Sequence, residues 1–293
     1  MSLSPYLAAR SALVDKALGR YLPNATVKPA TIHKAMRYSL FAGGKRLRPI
    51  LCIAAAEACG GAVSQAMPMA CAVECIHTYS LIHDDLPCMD DDDMRRGRPT
   101  CHKVFGEGIA VLAGDALLTI AFEILSTAAE ARRYKMPALI RELANASGSR
   151  WLIAGQVLDL EGEGKKTSAR DLQFIHRSKT AALLTASIRL GAMSANTSEA
   201  KLAALTTFGE SLGLAFQIID DILDVTQTSE KLGKSAGKDV AAQKATYPAV
   251  FGLEKSRAEA QRLTAAAREA LELFGTKGET MLSLADNLLN RDY

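Results

Sequence analysis

Two aspartate-rich segments, DDLPCMD at Asp84–Asp90 and DDILD at Asp220–Asp224, carry the most legible chemistry in this chain. On a helix, Asp220 and Asp224 stand four residues apart and share a face, with Gln217 three residues before Asp220 on nearly the same face. The flanking residues Ala215, Phe216, Ile218, Ile219, Ile222 and Leu223 are apolar, so this helix reads as largely buried. Carboxylates on a buried face need cations. Oxygen donors without Cys or His favour magnesium over zinc. One such segment alone reads equally well as an N-cap or a salt-bridged surface patch; a second one shifts the balance. Asp84 and Asp85 end a helix preceded by HTYSLIH. A regular helix would carry Asp90 about 240° away from Asp84. Pro87 interrupts that helix, so a loop can return Asp90 towards Asp84. Asp91, Asp92 and Asp93 continue as a charge run that reads as a solvated face.

Magnesium held by few carboxylates completes its shell with water and substrate phosphates. The chain supplies matching cations. GGKRLRP (Gly43–Pro49) puts Lys45, Arg46 and Arg48 just after a glycine pair, without the residue order of a P-loop. MRRGRPT (Met94–Thr100) adds Arg95, Arg96 and Arg98. Lys179, Lys234, Lys238 and Lys244 lie in or near later loops. His77 stands seven residues before Asp84, two turns along the same face, and can look towards the same ligand. His83 reads as structural, and Gln156 and Asp159 as residues that orient neighbours. The arrangement suits a diphosphate ester bridged by magnesium between the two aspartate segments.

The elements that must position these residues read as helices. The chain has 293 residues, 48% apolar and 23% charged, with 5% aromatics and abundant alanine. That composition points to an all-α fold, and the length allows one large domain or two ordinary ones. Helices are expected at Thr31–Phe41, Ile50–Cys59, 66–86, 108–130, 137–160, 171–190, 198–225, 241–254, 256–274 and near 277–290. No stretch alternates with period two. Gly162–Ser168 and Thr226–Lys238 are polar loops of functional rather than linker length. A net charge of +3 is too small for a nucleic-acid binder. Six cysteines without a CxxC pair read as buried reduced thiols of a cytoplasmic protein. No apolar run suggests a membrane span, and MSLSPYLAAR lacks a signal pattern.

Taken in order, GGKRLRP, SLIHDDLPCMDDDDMRRGRPTCH, GQVLDLEGEG, KTAALL, FQIIDDILD and LGKSAGKDVAAQKATYP resemble the short-chain trans-isoprenyl diphosphate synthases, most of all the bacterial farnesyl diphosphate synthases. The resemblance covers nearly the whole chain and implies an all-α single domain over 1–293, a helical bundle around a central cavity, and a homodimer. It implies that Lys45, Arg48, His77 and Arg96 clamp isopentenyl diphosphate, and that Arg95, Lys179 and Lys234 meet the allylic diphosphate (dimethylallyl or geranyl). Asp84, Asp90 and Asp220 become the main Mg2+ ligands, with Asp85 and Asp224 acting through water. Lys179, Thr180 and Gln217 form the catalytic set, Thr180 and Gln217 as neutral oxygens facing the allylic carbon. Lys244 is a further diphosphate contact.

The resemblance also makes the residues before Asp84 the floor of the cavity. Five residues of helix span about 7.5 Å. A tyrosine at Tyr79 is expected to stop growth at farnesyl length, and a small residue to admit geranylgeranyl. On an ideal wheel, however, Ser80 lies about 40° from Asp84 and Tyr79 about 140° away. DDLPCMD also resembles plant-type geranylgeranyl diphosphate synthases, which keeps that product as the alternative. A class I terpene cyclase would mix Asn, Ser or Thr with Glu in its second motif, and a non-catalytic partner subunit would lack one aspartate motif. Both motifs are intact here.

Overall fold

A computed structural model describes residues 3–162, 164–165, 167–226 and 246–289. The chain begins with α1 (Leu3–Tyr21), α2 (Ala30–Leu40), α3 (Leu47–Ala58) and α4 (Val63–Asp84). A small hairpin follows, β1 (Met94–Arg95) against β2 (Arg98–Pro99), then α5 (Cys101–Phe105), α6 (Glu107–Ser126), α7 (Met136–Ser147) and α8 (Leu152–Gly162). Next come α9 (Ala169–Ile175), a π-helical turn at His176–Ala181, α10 (Ala182–Ser194) and α11 (Glu199–Thr226). The chain closes with α12 (Tyr247–Phe251), α13 (Leu253–Ala270), a 3-10 turn (Glu272–Gly278) and α14 (Glu279–Leu289). This is the all-α class that the composition implies, in the one-domain architecture that the resemblance implies.

α3 is apolar on every side, which suits a helix in the middle of the bundle. Cys52, Ile53 and Ala56 enter one core with α1, α2, α4, α6 and α7. Ile50, Leu51, Ala54 and Ala55 enter a second core with α10, α11, α13 and α14. Small residues let the neighbours close in. At Gly191 of α10 a Cβ would lie 1.9 Å from the Cys52 carbonyl oxygen, and at Gly213 of α11 it would lie 2.6 Å from the Ala181 Cα. The second contact presses DDILD's helix against the π-helical turn.

The structure departs from the sequence expectations in several places. α1 carries Tyr6, Val14 and Leu18 into the core, although the periodicity predicts no helix before Thr31. The expected helix 137–160 divides at Gly148, where α7 is capped and α8 restarts at Leu152. The expected helix 171–190 contains the π-helical turn. α4 ends at Asp84, short of the expected 86, because Pro87 crowds the turn before it. Cys88 is exposed, whereas Cys52, Cys71, Cys75 and Cys101 are buried. α6 and α11 are long and apolar enough to cross a bilayer by length and composition, contrary to the reading of the sequence; both also pack within the two cores.

Candidate active site

The first aspartate segment is shaped by the end of α4. Beyond Asp84 the backbone folds back on the helix: the Asp90 amide donates to the Asp84 carbonyl at 2.8 Å, and the Asp92 amide to the Asp85 carbonyl at 3.2 Å. The loop therefore returns Asp90 to Asp84, as the interruption at Pro87 predicts. Burial pushes the Asp84 carboxyl up to about 6; the Lys179 ammonium works against this, and the nearby Asp90 and Asp85 charges add to it. Asp85 behaves differently. It is buried, and both Nε and Nη2 of Arg95 reach its Oδ1, at 2.7 and 2.6 Å. Arg95, expected to face the allylic diphosphate, is thus also the counter-charge of Asp85.

The basic turn before α3 splits its work. Arg46 turns inward, to Asp15 at 2.7 Å, to Glu74 at 2.8 Å and to the Leu40 carbonyl at 2.6 Å, and ties α1, α2 and α4 to the start of α3. Arg48 lies one half-turn on, with Nη1 3.4 Å from His77 Nε2 and its buried Nε lacking a hydrogen-bond partner among the described residues. Lys45 is exposed at the turn. Arg96 sits at the tip of the hairpin with φ of 53° and donates to the Gly43 carbonyl. Its guanidinium packs on Gly44, where φ is +120° and a Cβ would lie 2.5 Å from Nη1. Burial, and then the charges of Arg48 and Arg96, hold His77 well below the usual histidine range, so the ring is neutral. Burial lowers both guanidiniums as well, with the Arg96 charge adding to this at Arg48 and the Arg46 and Arg95 charges at Arg96. Two guanidiniums crowded beside a neutral imidazole make a site for an anion.

Arg48 and His77 also open onto a cavity of about 570 Å³, between α4, α6, α8 and the π-helical turn. Arg48, His77, Asp84, Lys179 and Thr180 border it, with Leu118, Ile153, Val157 and Leu183 as apolar lining. The wider turn at His176–Ala181 brings both Lys179 and Thr180 to this wall. Lys179 Nζ pairs with Asp159 Oδ2 at 2.6 Å, which gives Asp159 the orienting part read from the sequence. The Thr180 hydroxyl donates a hydrogen bond to Gln217 Oε1 at 2.9 Å. The approach at Gly213 lets Gln217, one turn later on α11, reach it. Gln156 borders the same cavity.

In the second segment, Asp220 is half-buried while Asp221 and Asp224 are buried, and Asp224 Oδ2 has no hydrogen-bond partner among the described residues. Asp221, given no role by the sequence, is a structural hub. Its Oδ2 accepts from the Tyr247 amide at 2.7 Å and lies 3.4 Å from His176 Nε2, and its Oδ1 lies 3.5 Å from Gln217 Nε2. Burial lowers the His176 ring to about 4, so it too is neutral. The clue in the sequence is position: Asp221 is about 100° around the helix from Asp220 and must face inward when Asp220 faces the cavity. Lys234 and Lys244 lie outside the described residues.

Tyr79 and Ser80 both border the cavity. Tyr79 stands edge-on to His83, with centroids 5.8 Å apart. His83 packs over Gly114 of α6 and donates to the Val111 carbonyl at 3.0 Å, so it is structural, as expected. Tyr79 therefore belongs to the α6 side of α4. Ser80 lies on the Asp84 side and folds its hydroxyl back onto the His77 carbonyl at 3.0 Å.

Comparison with known proteins agrees with this geometry. The family described as Polyprenyl synthetase matches residues 29–275. The chain is 53% identical to the heterodimeric geranylgeranyl pyrophosphate synthase large subunit 1, chloroplastic, of Arabidopsis thaliana, over 98% of this chain and 78% of that one. It is 50% identical to the geranylgeranyl pyrophosphate synthase, chloroplastic, of Catharanthus roseus, over 98% and 81%. Among solved structures, an FPP/GFPP synthase from Zymomonas mobilis superposes with a TM-score of 0.85 at 35% identity, over 98% of each chain. Both plant proteins are named as chloroplastic, which overturns the cytoplasmic location expected from the sequence. The family match spans most of the chain, and the plant synthases share half of its residues; the chain belongs to the polyprenyl synthetase family, among the short-chain trans-isoprenyl diphosphate synthases, and is a prenyltransferase.

Proposed function

We propose that the chain, as one synthase domain over residues 1–293, joins isopentenyl diphosphate head-to-tail to an allylic diphosphate with Mg2+ and delivers geranylgeranyl diphosphate. The observation that carries the chemistry is Thr180, hydrogen-bonded to Gln217, beside Lys179 and Asp84 in the lining of one largely apolar cavity. The carboxylates suit a hard cation: Asp84 and Asp90 share one loop closure, and Asp224 offers a buried oxygen without a hydrogen-bond partner among the described residues. Asp84, Asp90 and Asp220 would hold the ions. When bound, Mg2+ neutralises the diphosphate oxygens and so makes diphosphate a better leaving group. Arg95 and Lys179 hold the same leaving group, and Lys45, Arg48, His77 and Arg96 hold isopentenyl diphosphate alongside. Loss of diphosphate leaves an allylic cation. The Thr180 hydroxyl hydrogen is taken up by Gln217, which leaves lone pairs on both oxygens to stabilise that cation. Neither can be alkylated as a carboxylate could. The apolar lining keeps water away while the isopentenyl double bond attacks. The released diphosphate then takes the proton.

Two findings favour C20 as the product. The plant relatives are named geranylgeranyl synthases, and on the Asp84 side of α4 the floor is Ser80, a small residue. The farnesyl reading keeps one observation in its favour, since Tyr79 borders the cavity from the side. The test is the product spectrum from dimethylallyl and isopentenyl diphosphates with Mg2+; a main product of C15 overturns the C20 reading. Ser80→Phe fills the passage and is expected to shorten the main product by at least one isoprene unit. An unchanged C20 product in that variant removes Ser80 from the floor. The reading includes a homodimer. One plant relative is named as the large subunit of a heterodimer, so the mass of the purified chain in solution tests that part directly.

The raised Asp84 carboxyl sets a pH dependence. Below about 6 the folded chain keeps this proton, and cation binding must displace it. Mg2+ affinity is expected to fall as pH drops through 6, with close to one proton released per ion below that pH. Calorimetry in buffers of different ionisation enthalpy measures the count; no proton release at pH 5.5 counts against Asp84 as a ligand. In the metal-free chain the same group opposes folding. Its unfolded value is 3.8 and its folded value about 6, so stability present below 3.8 is lost as pH rises through 6.

A further inference from the structure

The hairpin that carries Arg95 and Arg96 is too small to hold its own shape. Its strands are two residues each, paired Met94 to Pro99 and Arg95 to Arg98, and a lone two-stranded hairpin is marginal in water. Its turn residues, Arg96 and Gly97, both have positive φ, at 53° and 72°. That suits a two-residue hairpin turn, but it puts a non-glycine residue in a disfavoured region. Beneath the hairpin, between α2 and α4, is a small cavity of about 30 Å³ lined by Tyr38, Thr78, Asp85, Arg95, Arg96 and Pro99. Packing from below therefore does not fix its height.

What reaches the hairpin from α2 is Tyr38. Its hydroxyl donates to the Pro99 carbonyl at 2.7 Å. The Arg98 guanidinium lies over its ring, 4.7 Å from the centroid. Phe105 of α5 braces the ring edge-on at 5.5 Å. Both contacts to the hairpin fall on the strand that leads away from Arg96. Arg95, on the other strand, has its own anchor in buried Asp85. We propose that Tyr38 is a positioning residue for isopentenyl diphosphate: it pins the β2 strand so that Arg96 stays docked on the Gly43–Gly44 turn beside Arg48 and His77. The inference rests on reading Arg48, His77 and Arg96 as the isopentenyl diphosphate clamp. It adds a residue that touches no substrate and should act on one substrate only.

The test is steady-state kinetics of Tyr38→Phe and Tyr38→Ala, with each substrate varied in turn. Tyr38→Phe removes one hydrogen bond and is expected to raise KM for isopentenyl diphosphate about five-fold. Tyr38→Ala also removes the ring under Arg98 and is expected to raise it roughly ten-fold or more. KM for the allylic diphosphate should stay within about two-fold, because Arg95 keeps Asp85, and kcat should fall less than KM for isopentenyl diphosphate rises. An unchanged KM for isopentenyl diphosphate, or both KM values rising together, overturns the proposal. If Tyr38→Ala does not fold, Tyr38→Phe decides by the same criterion. A wild-type chain that condenses neither substrate would sink the clamp reading itself, an outcome distinct from any result on the variants.

Discussion

Asp84→Asn is expected to lower kcat by roughly 10³-fold while leaving the metal-free protein as stable as the wild type or more so. The two parts have one cause. Asp84 is a carboxylate that burial drives up to about 6. Its charge opposes folding and is useful only when a cation and a diphosphate arrive to neutralise it. Asparagine keeps the shape, removes the charge and so relieves the desolvation cost. It also removes one of the three carboxylates proposed to hold the ions. Stability and activity should therefore move in opposite directions, a pattern general damage would not produce. Asp93→Asn is the control: Asp93 is exposed and pairs with Lys103 at 3.0 Å, and its loss should change kcat by no more than about two-fold. Kinetics across a Mg2+ titration, paired with melting curves in chelator, measure both effects. An Asp84→Asn enzyme within ten-fold of wild type would remove Asp84 from the metal set.

Gly155→Ala should be the most damaging small substitution near the site. A Cβ at Gly155 would lie 2.5 Å from the Lys179 amide nitrogen and 2.9 Å from its Cα. The obstacle is backbone, so no side chain can swing aside. Either α8 or the π-helical turn must move by about an ångström. Lys179, Thr180 and Gln156 all border the cavity at this contact. A displacement of that size at a reacting centre costs on the order of 10²-fold in rate, and overpacking a closed core costs about 1–3 kcal/mol. Pre-steady-state rates and a denaturation curve check the two numbers. Wild-type turnover in a normally folded Gly155→Ala protein would show that the helices have more freedom here than their spacing allows.

The two aspartate segments are legible because hard-cation chemistry leaves a compositional mark. Carboxylates clustered on apolar helices cost stability until a cation neutralises them, so chance rarely keeps two such clusters in one chain. The return of Asp90 to Asp84 is legible too, since Pro87 forbids the regular helix that would separate them. Asp85 and Asp221 cannot be told from their neighbours by type. Which way each carboxylate faces depends on where its helix is pressed, and that depends on contacts distant in sequence: the hairpin for Asp85, α12 and the π-helical turn for Asp221. The cytoplasmic location failed because the absence of a signal pattern and the state of the thiols are weak guides to compartment.

Residue type and order thus determined the helical class, the family and the residues proposed to carry the chemistry, because each depends on local spacing or on side-chain chemistry alone. The tertiary structure decided the rest. It separated Arg46, which ties helices together, from Arg48, which borders the cavity beside His77, though the two differ by half a turn. It turned Tyr79 towards α6 and left Ser80 on the Asp84 side of the floor. It widened the turn that presents Lys179 and Thr180. Each of these is set by how closely two helices approach, and that distance is fixed by glycines and side chains far apart in the chain.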